Sequence, residues 1–191
     1  CTIRVLKKVS NKLDFNLDII YSDIGFSALK KFNTTFPEEV LNLCREVDGI
    51  ILGPVDHNNY PPEKEGGLNP SGLLRKKLNL FSNIRPAKSF KGVKCILNKI
   101  DLVIVRENTE GFYADRNIFS GQGELELEEG IGISIRKITK KASENIAIRG
   151  FEIAQKIKKN KKINVHAIHK ANVLRLTDGI FLDACRKISK D

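Results

Sequence analysis

Three arginines, a tyrosine and a lysine carry the chemistry this sequence offers: Arg75, Arg85, Arg106, Tyr113 and Lys170. An arginine guanidinium makes two parallel charge-assisted hydrogen bonds to a carboxylate, so several together suit a small acid with more than one carboxylate. Arg75 and Arg85 are ten residues apart, the first in a stretch of helical spacing and the second just before Pro86. Arg106 ends the apolar run Leu102-Val103-Ile104-Val105, a strand end of the kind where α/β proteins place ligand-contacting groups. Tyr113 follows seven residues later, with a hydroxyl able to pass a proton directly. Lys170 stands in His169-Lys170-Ala171-Asn172-Val173, and lysine is a residue type that proteins recruit as a base. Taken singly, each has an ordinary explanation, since arginines are mostly exposed and tyrosines often pack half-buried. The set in this order and spacing needs a different one.

The joint pattern LRKxLxLxxNxRP (Leu74–Pro86), then VRENTEGxY (Val105–Tyr113), then HKANV (His169–Val173) resembles the metal-dependent decarboxylating 2-hydroxy-acid dehydrogenases. That family includes isocitrate, isopropylmalate, homoisocitrate and tartrate dehydrogenases, and the resemblance runs over nearly the whole chain. It implies that Arg75, Arg85 and Arg106 clamp the substrate's carboxylates. It implies that Tyr113 gives a proton to the enol left when carbon dioxide departs, and that Lys170 helps remove the hydroxyl proton as hydride leaves. Asn172 matches a residue near the nicotinamide ring. The implied cofactors are NAD or NADP and a Mg or Mn ion. The implied assembly is a homodimer in which Lys170 serves the partner's site. An alternative from another class is a non-catalytic regulatory subunit of a heteromeric dehydrogenase. Keeping all five residues argues against it.

The sequence also departs from the pattern. The family's opening glycine-rich strand and turn has no match before Cys1, and its metal-binding aspartates and adenosine loop have none before Asp191. Asp178 and Asp183 fall in a helical stretch and read as surface or capping residues, so no metal ligands are assigned. The expected fold is α/β, an isopropylmalate-dehydrogenase-like two-domain fold that is incomplete and not expected to turn over by itself. Residues 1–86 would be part of the cofactor-binding domain. Residues 87–191 would be part of the small dimerisation domain, with an exposed arm at about 114–130. The turn before Arg75 reads Asn69-Pro70-Ser71-Gly72, polar and small. Isopropylmalate enzymes place apolar side chains there, so Ser71 is a candidate substrate contact. The turn favours an isocitrate- or tartrate-like di- or tricarboxylate over 3-isopropylmalate.

The elements that must position these residues are readable from periodicity. Helices are expected at Ile24–Phe32, from Thr35 through Val47 with Thr35 as hydroxyl cap, around Arg75, at Lys141–Lys158 and at Thr177–Ser189. Residues 1–9 read as a helix already under way. Strands are expected at Phe15–Tyr21, Asp48–Leu52, Asp101–Arg106, Ile131–Ile135 and Ile163–Ala167. Asp48–Leu52 and Asp101–Arg106 read as buried strands, the former central and parallel. Residues 53–72 read as a loop.

Composition narrows the class further. The net charge is +10, but the lysines are scattered and densest at Lys156–Lys162, the end of an expected helix, where cations suit the macrodipole. No nucleic-acid partner follows from this. No apolar run approaches the roughly 20 residues of a membrane span, so no membrane partner is expected. Cys1, Cys44, Cys95 and Cys185 are widely spaced, which suits reduced thiols in a cytoplasmic compartment, the mitochondrial matrix remaining open. His166 and His169 have no cysteine or carboxylate to complete a zinc set.

Overall fold

The computed structural model describes residues 1–97, 99–113, 123–157 and 163–190. The chain forms two compact units, Cys1–Leu73 and Leu74–Asp191. Helix α4 runs across the division between them.

The first unit is helical. Ile3, Leu6, Val9, Ser10 and Leu13 recur at helical spacing and form one stripe of α1 (Thr2–Leu13), of which Ser10 is buried. Asp14, in the left-handed region, ends it by returning its N–H to the Ser10 carbonyl. Helices α2 (Phe26–Phe32) and α3 (Glu38–Glu46) follow, and the buried apolar side chains of this unit include Ala28, Phe36 and Leu41. The helix start expected at Thr35 is real, but its cap is Pro37 and uses no side-chain hydrogen bond. Thr35 is instead fully buried, its hydroxyl donating to the carbonyls of Leu68 at 2.6 Å and Gly66 at 3.2 Å. It fastens the long loop rather than the helix.

That loop is packed closely. Two single 3-10 turns, His57–Asn59 and Glu63–Glu65, punctuate it. The Tyr60 ring meets Phe26 edge-on at 4.9 Å. At Gly66 (φ +87°) a Cβ would lie 2.1 Å from the Asn33 carbonyl oxygen, and at Gly67 1.6 Å from that of Pro61. Only glycine permits these approaches.

In the second unit, β1 (Ser82–Lys88) and β2 (Asp101–Glu107) form one antiparallel pair. A second pair joins β3 (Glu124–Glu128) to β4 (Ile131–Ser134). Helix α5 (Lys140–Ile157) lies against β2 and against α6 (Thr177–Ile188). Leu74, Ile146, Ala147 and Ala184 are the buried apolar residues here.

Several expectations need correction. A strand exists by its ladder, and Phe15–Tyr21, Asp48–Leu52 and Ile163–Ala167 form none among the described residues. Their apolar content predicts burial, yet Ile50, Ile51 and Val165 are exposed. β2 is a real strand but not a buried one: Leu102, Ile104 and Arg106 face out while Val103 and Val105 are half-buried. β1 was not expected at all, because Pro86 interrupts the run. The proline sits within a two-stranded ladder opposite Val103, a position with little need of its missing N–H. Of the expected arm, residues 114–122 lie outside the described residues, and residues 123–130 carry β3 and the turn into β4.

Candidate active site

Opposed residues of an antiparallel pair share a face, and every second residue returns to it. Asn83 is opposite Arg106 and Arg85 is opposite Ile104. Asn83, Arg85 and Arg106 therefore stand together on the open face of the β1–β2 pair. Arg85 donates from Nε to Asn83 Oδ1 at 3.0 Å, which fixes the fork's direction. Arg106 donates from an η nitrogen to the Tyr113 hydroxyl at 3.0 Å, and its guanidinium carbon is 5.9 Å from the centre of that ring. Among the described residues, no carboxylate of the protein ion-pairs with Arg75, Arg85 or Arg106. Two unneutralised guanidinium groups on one face, one of them touching a phenol, make a receptor for a multiply charged anion.

The sequence Glu107-Asn108-Thr109-Glu110-Gly111 explains how Tyr113 reaches Arg106. The Glu107 carboxylate accepts the N–H groups of Thr109 and Glu110, each at 2.8 Å, and the Thr109 hydroxyl, closing a tight turn after β2. Asn108 is buried, and its backbone N–H reaches the Phe81 carbonyl at 2.8 Å while its side-chain amide donates to the Leu80 carbonyl. Glu110 accepts from Thr139 through N–H (2.8 Å) and Oγ (2.6 Å) just ahead of α5, where a negative charge suits the helix dipole. Gly111, with φ +86°, allows the chain to reverse and bridge to Lys137. The two glutamates are thus builders of the turn, and Arg106 and Tyr113 are what it presents.

Arg75 lies in α4 (Pro70–Lys77) and is half-buried; its carbonyl accepts the Leu80 N–H at 2.9 Å, which ties the helix exit to the entry of β1. Ser71 sits in the first turn of the same helix. Asn69 caps that helix, Oδ1 accepting the Gly72 N–H at 3.2 Å, so its side-chain oxygen is engaged with backbone. A Cβ on Gly72 would meet only the Asn69 side chain, at 3.6 Å or more.

Lys170 and Asn172 are placed elsewhere in the second unit, on the turn that follows the extended segment 163–170. Both are exposed. Lys170 donates its backbone N–H to the Asp178 carboxylate. Asp178, expected as a surface or capping residue, stands in the first turn of α6, is buried, 4% exposed, and is ion-paired with Arg136. Burial works against its charged form. The Arg136 hydrogen bond, the Lys170 N–H and the charge of Arg136 outweigh that and hold the carboxyl below its usual range. Burial pushes the thiols of Cys44 and Cys185 up.

The structure therefore gathers Arg85, Arg106 and Tyr113 into one cluster, places Arg75 on α4 with its carbonyl bonded to Leu80 ahead of β1, and holds Lys170 on a separate, buried-carboxylate mount. Asn83, Arg136 and Asp178 escaped the sequence reading. Asn83 had one available signal, its position two residues before Arg85 on an alternating segment. Asp178 had none beyond standing in the first turn of a helix.

No three His, Cys, Asp or Glu side chains among the described residues come together in a way that could hold a metal ion. No helix among them is long and apolar enough to cross a membrane.

The family model for isocitrate/isopropylmalate dehydrogenase matches residues 1–191. The 3-isopropylmalate dehydrogenase of Archaeoglobus fulgidus is 37% identical, the match covering 96% of this chain and 50% of that protein. The homoisocitrate dehydrogenase of Methanocaldococcus jannaschii is likewise 37% identical, over 96% of this chain and 52% of its own length. Among solved structures, the isocitrate dehydrogenase of Methylococcus capsulatus superposes with a TM-score of 0.74 at 33% identity, covering 96% of this chain and 51% of that one. The chain belongs to the isocitrate/isopropylmalate dehydrogenase family and has its α/β fold. It spans about half the length of the curated relatives it matches.

Proposed function

We propose that the protein oxidatively decarboxylates a 3-substituted malate, with NAD or NADP as hydride acceptor and a Mg or Mn ion. The observation that carries this reading is the pair Arg85 and Arg106 on one open strand face, with no ion pair to a carboxylate among the described residues, and the Tyr113 hydroxyl bonded to Arg106. Arg75, Arg85 and Arg106 bind the substrate's carboxylates and orient its hydroxyl-bearing carbon. Lys170 takes up the hydroxyl proton as hydride leaves that carbon, and the C–O bond becomes a carbonyl. Loss of carbon dioxide then leaves an enol, to which Tyr113 supplies a proton at carbon. When bound, the nicotinamide would serve as hydride acceptor and a Mg or Mn ion would supply Lewis acidity at the carbonyl. The described residues offer the ion no ligand set. Asn172, exposed on the Lys170 turn, is the residue of this chain assigned to the nicotinamide side.

The substituent at carbon 3 is a finer question. The polarity of residues 69–72 favours an isocitrate- or tartrate-like acid, but the Asn69 side-chain oxygen is already engaged in capping. What remains is Ser71, with no side chain on the neighbouring Gly72. Relatives named for 3-isopropylmalate recur among those matching nearly the whole chain. Together these move the reading towards 3-isopropylmalate. The protein is also proposed to act as a homodimer, and the exposed apolar residues Leu125, Ile131 and Ile133 on the β3–β4 pair support that.

The test is reduced-nicotinamide formation by the whole protein as its gene encodes it, supplied in turn with 3-isopropylmalate, isocitrate and tartrate, with NAD or NADP and Mn. Turnover is expected, 3-isopropylmalate leading. Silence with all three acids would overturn the reading.

A further inference from the structure

Asp178 and Arg136 form the most deeply placed ion pair among the described residues, with side-chain exposures of 6% and 28%. Burying two charges costs desolvation that a pair of apolar residues would avoid, so such a pair is poorly explained by stability alone. What distinguishes this one is what else its members hold. The Asp178 carboxylate accepts the backbone N–H of Lys170 with its second oxygen. Arg136 reaches the Asp178 carboxylate with one η nitrogen, which also lies 3.4 Å from the Thr177 hydroxyl. The same guanidinium lies 5.8 Å from the centre of the Phe112 ring, next to Tyr113. The neighbouring Lys137 exchanges both backbone hydrogen bonds with Gly111, at 2.9 and 3.0 Å. A single buried carboxylate is thus bonded to the turn that bears Lys170, and through Arg136 to the segment that bears Tyr113.

We infer that Asp178 and Arg136 are positioning residues, which anchor the turn bearing Lys170 to the segment bearing Phe112 and so fix where Lys170 projects from its own subunit. This rests on the proposed role of Lys170 in proton transfer at the partner subunit's site. Lys170 is exposed, and its hydrogen bond to Asp178 is made by its backbone. Its long side chain can search widely unless its Cα is fixed, and proton transfer tolerates little misplacement. A carboxylate serves this purpose better than a neutral group because it accepts from the N–H and the guanidinium at once. His169, whose Nδ1 accepts the Ala171 N–H at 3.1 Å, adds a second local restraint to the same turn.

Asp178→Asn separates positioning from mere stability. An amide has one oxygen and no charge: given to the Lys170 N–H, it leaves only NH2 donors facing Arg136, and given to Arg136, it leaves the Lys170 N–H without its acceptor. In the whole protein, kcat is expected to fall by about tenfold to a hundredfold while KM changes little. Hydrogen exchange should quicken in peptides covering residues 168–176, with α5 unchanged. Lys170→Ala should lower kcat on its own, and adding Asp178→Asn to it should cost little more, because both act on one group. Glu144→Gln removes a different link between α5 and α6, that to Lys187 at 2.9 Å, and should leave kcat unchanged. Where Asp178→Asn fails to fold, Arg136→Gln leaves the carboxylate on the Lys170 N–H and is expected to give the same non-additivity with Lys170→Ala. Lowered kcat in Lys170→Ala with unchanged kcat in folded Asp178→Asn or Arg136→Gln overturns the inference alone. Unchanged kcat in Lys170→Ala overturns the assignment of Lys170 on which it rests.

Discussion

Tyr113 and Arg106 form a donor–acceptor pair before any substrate arrives, and this shapes what a substitution at either should do. Tyr113→Phe keeps the ring beside the guanidinium and removes only the hydroxyl. It should lower kcat on the order of a hundredfold with KM within a few fold, since general acid–base steps supply about that much. Steady-state kinetics check it, and an unchanged kcat would show that the proton comes from elsewhere. Asp178 makes a separate prediction about acid. Its carboxyl is held below the ordinary carboxylate range in the folded chain, so its pairing stabilises the fold above that range. The contribution disappears as pH falls through the depressed value. Chemical denaturation of the native protein and Asp178→Asn should show a gap in stability at pH 7 that closes in acid. A gap that persists undiminished in acid would contradict the pairing.

At the scale of elements, the turn after β2 and the start of α5 are one construction. Glu110→Ala would strip two hydrogen bonds from Thr139 and should cost about 2 kcal/mol, read as a lower denaturation midpoint. Asn69→Ala should cost about 1 kcal/mol through the lost cap of α4. Elements defined by local pattern were legible in the sequence. The apolar spacing of α5 gave its start to within a residue, its expected end at Lys158 lying outside the described residues, and the hydroxyl, proline and glutamate at the start of α3 announced a helix. What local pattern could not supply was partnership. Asp48–Leu52 has the composition of a central strand, yet strand identity is conferred by a neighbour's hydrogen bonds. β1 was hidden for the converse reason, because Pro86 masks a segment that its partner β2 makes into a strand. At the site, the arginines and Tyr113 were legible as a motif. The function of Thr35 and the burial of Asp178 were not, since both depend on bonds spanning many residues.

For the whole molecule, the exposed apolar residues have a physical consequence. Leu125 and Ile133 are directly opposed on the β3–β4 pair, and Ile131 returns to the same face two residues earlier. Exposed apolar clusters of this kind mark surfaces that other chain covers. If the hairpin joins two protomers, Leu125→Ser with Ile133→Ser should raise the dissociation constant of the dimer in sedimentation equilibrium. An unaltered constant would place the interface elsewhere.

Arg85 and Arg106 are proposed to act together on one anion, and titration calorimetry addresses that most directly. The whole protein, with Mn present, is titrated with whichever of 3-isopropylmalate, isocitrate and tartrate it turns over, alongside Arg85→Gln and Arg106→Gln. Both side chains are exposed, so folding should survive. Each loss of a charged hydrogen bond should cost about 1.5–3 kcal/mol of binding, weakening affinity roughly tenfold to a hundredfold. Affinity indifferent to both substitutions would show that the open face of β1 and β2 does not hold the substrate.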